Sequence, residues 1–139
     1  VCGRNQQMSD NLQTTFSYDK QLCLLGFTDQ VSLLMDASDV IFTKPGGITS
    51  TEAIVKNIPI VHTAPIPGLE NYNARFFHNH GLSYHSNDTN QQVAIAMRLC
   101  EDKTFRNRML QQQRLNSNPH TSDDVIDLIL NKQEIAYEE

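Results

Sequence analysis

The chain has 139 residues, of which 39% are hydrophobic and 19% charged, and its formal net charge is −5. That length buries roughly two-thirds of its extended surface, and six Gly with five Pro are too few for a low-complexity or collagenous segment. These figures argue against a pore, a long coiled coil, a disulfide-stapled miniprotein and a complete two-domain enzyme. No cluster of Lys or Arg marks a nucleic-acid surface.

In chain order, Val1-Cys2-Gly3 reads as the end of a buried strand, so the domain is expected to begin upstream of residue 1. Residues 6–15 are polar and fit a helix. Residues 21–26 (QLCLLG) fit a short apolar strand. Val31, Leu34 and Met35 then recur at helical spacing, with Asp29 as the expected cap. Residues 39–43 (DVIFT) are the clearest buried strand, short and rich in β-branched side chains. Pro45-Gly46-Gly47 breaks it, a helix follows over 49–56, and residues 58–62 (IPIVH) form the next strand. After a Pro-rich loop at 64–68, residues 73–79 fit a helix closed by Gly81, and 82–84 a short edge strand. Val93, Ala96, Met97 and Cys100 make one helical face. Further helices are expected over 102–115 and 121–133, separated by Pro119. In the last, Val125, Ile126, Ile129 and Leu130 form the buried stripe and Thr121 or Ser122 the cap.

Short strands alternating with helices predict an α/β fold, a parallel sheet with helices on both faces, in one domain over residues 1–139. Ligands of such sheets bind outside the carboxyl ends of the strands. Cys2, Cys23 and Cys100 are odd in number, lack metal-site spacing and sit among apolar neighbours, which predicts buried thiols in a reducing compartment. The five histidines form no metal motif, and His62 alone lies near the expected ligand edge. Arg106, Arg108 and Arg114 read as the solvated side of a late helix. Part of the acid excess lies in the tail, at Asp123, Asp124, Asp127, Glu134, Glu138 and Glu139.

The strongest local feature is TKPGGITSTEA, residues 43–53. A strand ends, two glycines turn the backbone, and a helix begins within 48–50. Its first free N–H groups suit a phosphate or diphosphate. An ordinary strand-to-helix turn explains the spacing equally well, and Thr49 and Ser50 either donate hydroxyls or simply cap the helix. No Walker or dinucleotide glycine fingerprint is present. Glu52, one turn into the helix, is either a favourable helix-terminus charge or an acceptor for ribose hydroxyls. In the loop APIPGLENYNA, residues 64–74, Glu70 and Asn71 are either sugar contacts or first-turn and capping residues. Phe27, in Gly26-Phe27-Thr28-Asp29, either flanks a base or packs in the core.

The run from Gly26 to Phe77, GFTDQVSLLMDASDVIFTKPGGITSTEAIVKNIPIVHTAPIPGLENYNARFF, resembles the carboxyl-terminal, donor-binding domain of a diacylglycerol glycosyltransferase. The nearest groups are the bacterial processive diacylglycerol glucosyltransferases and plant monogalactosyldiacylglycerol synthases, and more distantly MurG. The resemblance implies one Rossmann-like half of an inverting GT-B enzyme, with the first strand and its Gly-rich loop absent. It implies that Phe27 and Thr28 flank and read uracil, that Gly46, Gly47, Ile48 and Thr49 hold the diphosphate, and that Glu52 binds ribose. It places Glu70 in the sugar-recognising pair, Asn73 beside it, and Gly3, Arg4 and Asn5 near the cleft. Leu69 stands where these enzymes commonly carry Gln.

The implied donor is a UDP-sugar, UDP-glucose or UDP-galactose, with no tightly bound cofactor and no metal. The implied acceptor is diacylglycerol or a glycosyl-diacylglycerol, bound through an amino-terminal domain that also supplies the base. The implied location is the cytoplasmic face of the cell membrane, peripherally attached. The alternatives are a UDP-sugar transferase with another acceptor, and a non-catalytic nucleotide-sugar-binding module or subunit.

Overall fold

A computed structural model describes residues 1–118 and 120–136, with no side-chain description for 131–136. Pro119 and the tail acids Glu138 and Glu139 lie outside the described residues. The chain forms two compact units, Val1–Ala37 and Ser38 onward.

The first unit holds helices α1 (Gln6–Thr15) and α2 (Val31–Asp36). Asn5 caps α1, its side-chain oxygen accepting from the Met8 amide at 3.0 Å. The strand expected at residues 21–26 is not formed. Gly26 makes an isolated parallel bridge with Gly3, and the Cys2 amide donates to the Leu25 carbonyl at 2.7 Å. A strand needs a continuing ladder, and this one pairing supplies no second register step. The residue before α2 is Gln30 rather than Asp29, and its amide donates to Thr28 Oγ1 at 3.1 Å.

The second unit is built on three parallel strands, β1 (Ile41–Thr43), β2 (Ile60–His62) and β3 (Tyr84–His85), in the order β1-β2-β3. Helix α3 (Gly47–Val55) links β1 to β2, and α4 (Leu69–Asn79) links β2 to β3. Then follow α5 (Thr89–Glu101), α6 (Lys103–Asn116) and α7 (Thr121–Ala136). Successive strand residues face opposite sides. Ile60 therefore packs with Ala53 and Ile54 of α3 and Phe77 of α4, while Val61 packs with Ala96 and Leu99 of α5 and Met109 of α6. Each such fully buried branched side chain contributes about 1.5–3 kcal/mol. This is the expected parallel α/β layering, with helices on both faces.

Both helix-to-strand turns are closed alike. Asn57 (φ 57°) after α3 and Gly81 (φ 69°) after α4 take left-handed backbone. The Ile58 amide reaches the Ala53 carbonyl, and the Leu82 amide the Phe77 carbonyl, at 3.0 and 2.9 Å. These compact reversals deliver the chain directly to β2 and β3.

Three burial expectations are corrected. On α5 the buried residues are Gln92, Ala96 and Leu99, while Val93, Met97 and Cys100 are exposed. Ala96 is the one residue of the expected face that is buried, and Gln92 faces inward with its amide donating to the Ser86 carbonyl at 2.7 Å. Val125, Ile126, Ile129 and Leu130 of α7 are each about half exposed, since periodicity reports what a helix is able to bury and not what covers it. Thr121 does not cap α7; its hydroxyl donates back to the Asn118 carbonyl at 2.7 Å. Cys23 and Cys100 are exposed and Cys2 half-buried, as their segments provide no enclosed apolar face.

Candidate functional site

The turn from β1 into α3 is the centre of the candidate site in the second unit. Gly46 is the N-cap of α3 in extended backbone (φ −74°, ψ 141°), and no side chain caps that end. Elsewhere Asn5, Asp88 and Asp102 cap α1, α5 and α6 with side-chain oxygens. Neither Thr49 nor Ser50 is therefore the cap of α3. The first amides of α3 have no intrahelical acceptor and the helix dipole is positive there. A Cβ added at Gly46 or Gly47 meets no atom within 4 Å, so packing demands neither glycine. What they provide is open backbone against which an anion can sit.

Ile48 is 80% exposed, Thr49 is half-buried and Glu52 is exposed. Gly47, Ile48, Thr51, Glu52, Val55 and Lys56 line a shallow groove of about 600 Å³ along one face of α3. Residues four apart share a helix face, which places the Glu52 carboxylate one turn from the Ile48 amide.

The loop after β2 lies at the carboxyl end of the neighbouring strand. Gly68 is the N-cap of α4 at φ 115°, ψ −129°, a region open to glycine; Asn71 is not a cap. The Ile66 amide donates to Glu70 Oε2 at 2.7 Å, so one carboxylate oxygen braces the loop. Asn73 Nδ2 donates to the Pro45 carbonyl at 3.0 Å, which joins α4 to the glycine turn. Leu69 is 76% exposed.

Beneath the turn runs a buried polar path. Ser50 Oγ lies 2.9 Å from His62 Nε2, and Ser83 Oγ 2.9 Å from His62 Nδ1. His62 is fully buried, and burial, with a smaller contribution from the His85 charge, lowers its pKa from 6.5 to about 4. The ring is neutral at ordinary pH, with one nitrogen donating and the other accepting. Sequence reasoning placed His62 near the ligand edge but missed its partners. The signal was present: Ser50 shares helical spacing with Ala53 and Ile54, which face inward.

In the first unit Phe27 is 70% exposed, and the Arg4 guanidinium carbon lies 5.1 Å from its ring centroid. Thr28 Oγ1 is engaged with the Gln30 amide and Asn5 with the start of α1. Phe27 is thus an available flat face with one cation already over it, and not a core residue. Among the described residues no group of three or more His, Cys, Asp or Glu is placed to hold a metal ion.

A family profile described as "Glycosyl transferases group 1" matches residues 1–116. Over 139 residues the chain is 32% identical to the processive diacylglycerol beta-glucosyltransferase of Bacillus pumilus (strain SAFR-032), covering 97% of this chain and 36% of that protein. The protein of that name from Staphylococcus carnosus (strain TM300) is 31% identical over 114 residues, covering 82% of this chain and 29% of the relative. For the Bacillus subtilis (strain 168) protein the identity is 29% over 136 residues, with 97% and 36% covered. The chain spans about a third of the length of the curated relatives it matches.

Proposed function

The chain belongs to the group 1 glycosyl transferases, and on that premise we propose that it is the donor-binding part of an inverting enzyme. Its reaction moves a hexose from a UDP-sugar to diacylglycerol or a glycosyl-diacylglycerol. The observation that carries the reading is the α3 turn, where an uncapped helix end and two glycines unneeded for packing stand one helical turn before Glu52. The likeness to processive diacylglycerol beta-glucosyltransferases supports the acceptor class.

In this mechanism the Gly47–Thr49 amides and the α3 dipole hold the diphosphate, and Glu52 accepts from the ribose hydroxyls. Phe27 and Thr28, in the first unit, are the residues assigned to the uracil. Glu70, with one oxygen committed to Ile66, presents the other to the hexose, and Asn73 keeps the glycine turn in place. A base outside these residues takes the acceptor proton. The acceptor oxygen then attacks the anomeric carbon from the face opposite the diphosphate. The bond to the diphosphate breaks, UDP departs with the electron pair, and the α3 amides offset the charge that develops on it.

Among the described residues no helix is long and apolar enough to cross a membrane, and the lipid acceptor implies peripheral contact by the full-length protein. The test is mass spectrometry of lipid products from the full-length protein supplied with UDP-glucose or UDP-galactose and diacylglycerol. A hexosyl-diacylglycerol is expected, and the Glu52→Ala variant should raise the donor KM roughly tenfold or more. Unchanged donor kinetics in that variant would remove the ribose assignment.

A further inference from the structure

The Ser50–His62–Ser83 path touches no donor group in the mechanism above, yet it ends inside the first turn of α3. The Ser50 amide donates to the Gly46 carbonyl at 3.2 Å, the first hydrogen bond of that helix, and its hydroxyl meets His62 at 2.9 Å. His62 closes β2, where its register against Thr43 and His85 ties it to both neighbouring strands. The Phe77 ring, 5.5 Å away centroid to centroid, packs against the imidazole. Ser50 and His62 are 0% exposed and Ser83 is 2% exposed.

The apolar contacts of α3, through Ala53 and Ile54, are non-directional and set no hydrogen-bond geometry for its first turn. Gly46 and Gly47 have no side chains with which to lock the turn. Hydrogen bonds to an anion weaken steeply once the donor N–H swings out of line with its acceptor. A directional bond from the sheet to the first turn of α3 fixes that alignment.

We infer that His62 is a positioning residue for the amide cradle of α3, acting through the Ser50 hydroxyl; Ser83 meets the opposite ring nitrogen and takes no part in that positioning. The inference rests on the reading of the α3 turn as the diphosphate site, and it adds to that reading the group that holds the site in register.

Calorimetric titration of the full-length protein with UDP, paired with melting temperatures, tests it. Ser50→Ala and Ser83→Ala each remove one bond to the same ring, so both should lower Tm. Only Ser50→Ala should weaken UDP binding, by roughly three- to tenfold, with Ser83→Ala within about twofold of the unsubstituted protein. A second pair covers a fold that does not survive Ser50→Ala. His62→Gln carries an amide to the Nε2 position and should retain UDP affinity, whereas His62→Asn reaches only the Nδ1 position and should lose it.

Equal UDP affinity in all variants, or equal losses for Ser50→Ala and Ser83→Ala, would reduce His62 to a packing role and overturn the inference while leaving the proposed function intact. No UDP binding by the unsubstituted protein would overturn both.

Discussion

Asn73 Nδ2 donates to the Pro45 carbonyl oxygen at 3.0 Å, so the helix after β2 holds the glycine turn after β1. Pro45 is buried and has no amide hydrogen. Its carbonyl is therefore the group by which the turn is gripped. Asn73→Ala should destabilise the fold by about 1 kcal/mol in urea denaturation. It should also weaken UDP binding by calorimetry, because the turn loses its outer tether. Asn73→Asp, which sets a carboxylate against that carbonyl, should lose more on both measures.

Gln113 ties α6 to the segments that lead into β2 and β3. Its amide nitrogen donates to the carbonyls of Ile58 and Leu82, both at 2.9 Å, and its oxygen accepts from Asn57 Nδ2 at 3.1 Å. The residue is fully buried. Gln113→Leu keeps the bulk but strands two carbonyls, and should cost about 2–4 kcal/mol in urea denaturation. A loss below about 0.5 kcal/mol would show that water reaches those carbonyls.

The buried imidazole makes stability depend on pH. The unfolded chain takes up a proton near 6.5, whereas folded His62 stays neutral down to about 4. Between those values the unfolded state binds more protons, so stability falls as pH falls. The contribution is complete above pH 6.5, declines toward pH 4 by about 3 kcal/mol in all, and levels off once the native ring also protonates. Denaturant midpoints from pH 7.5 to 4.5 should show this slope in the unsubstituted protein and a shallower one in His62→Gln.

Gly68 holds φ 115°, ψ −129°, and a Cβ there meets no atom within 4 Å. Any penalty of Gly68→Ala is thus one of backbone strain, about 1–3 kcal/mol. The loop sheds part of it by moving, which breaks the bond from Ile66 to Glu70. Donor KM for UDP-glucose should rise while the UDP dissociation constant stays within about twofold, since the proposed hexose contact and not the proposed diphosphate contact is disturbed. Steady-state kinetics beside UDP calorimetry separates the two.

Local chemistry made the glycine turn legible in the sequence. Two glycines between a β-branched strand and an alanine-containing helix leave few structures, and β1, α3 and β2 follow within a residue or two. The Gly81 stop to α4 was legible for the same reason. Long-range partnership was not. Residues 21–26 have strand composition, yet only Gly26 is bridged. Of the α5 face only Ala96 was legible, because an inward Gln92 depends on the Ser86 carbonyl that its amide reaches. Ser50, Ser83, Gln92 and Gln113 are all buried polar residues, and each is inside because of a partner that composition does not reveal. Asn73 was expected beside the sugar-recognising pair, and its hold on Pro45 came only from the fold.

The reach of Gln113 sets an order of events during synthesis. The carbonyls it satisfies belong to residues made 55 and 31 positions earlier. At roughly 5–20 residues per second on the ribosome, Ile58 waits about 3–11 s for its partner. Until residue 113 is made, the Ile58 carbonyl, two residues before β2, has no Gln113 amide to receive. A chain halted between residues 82 and 113 would hold both carbonyls without the group that satisfies them in the fold.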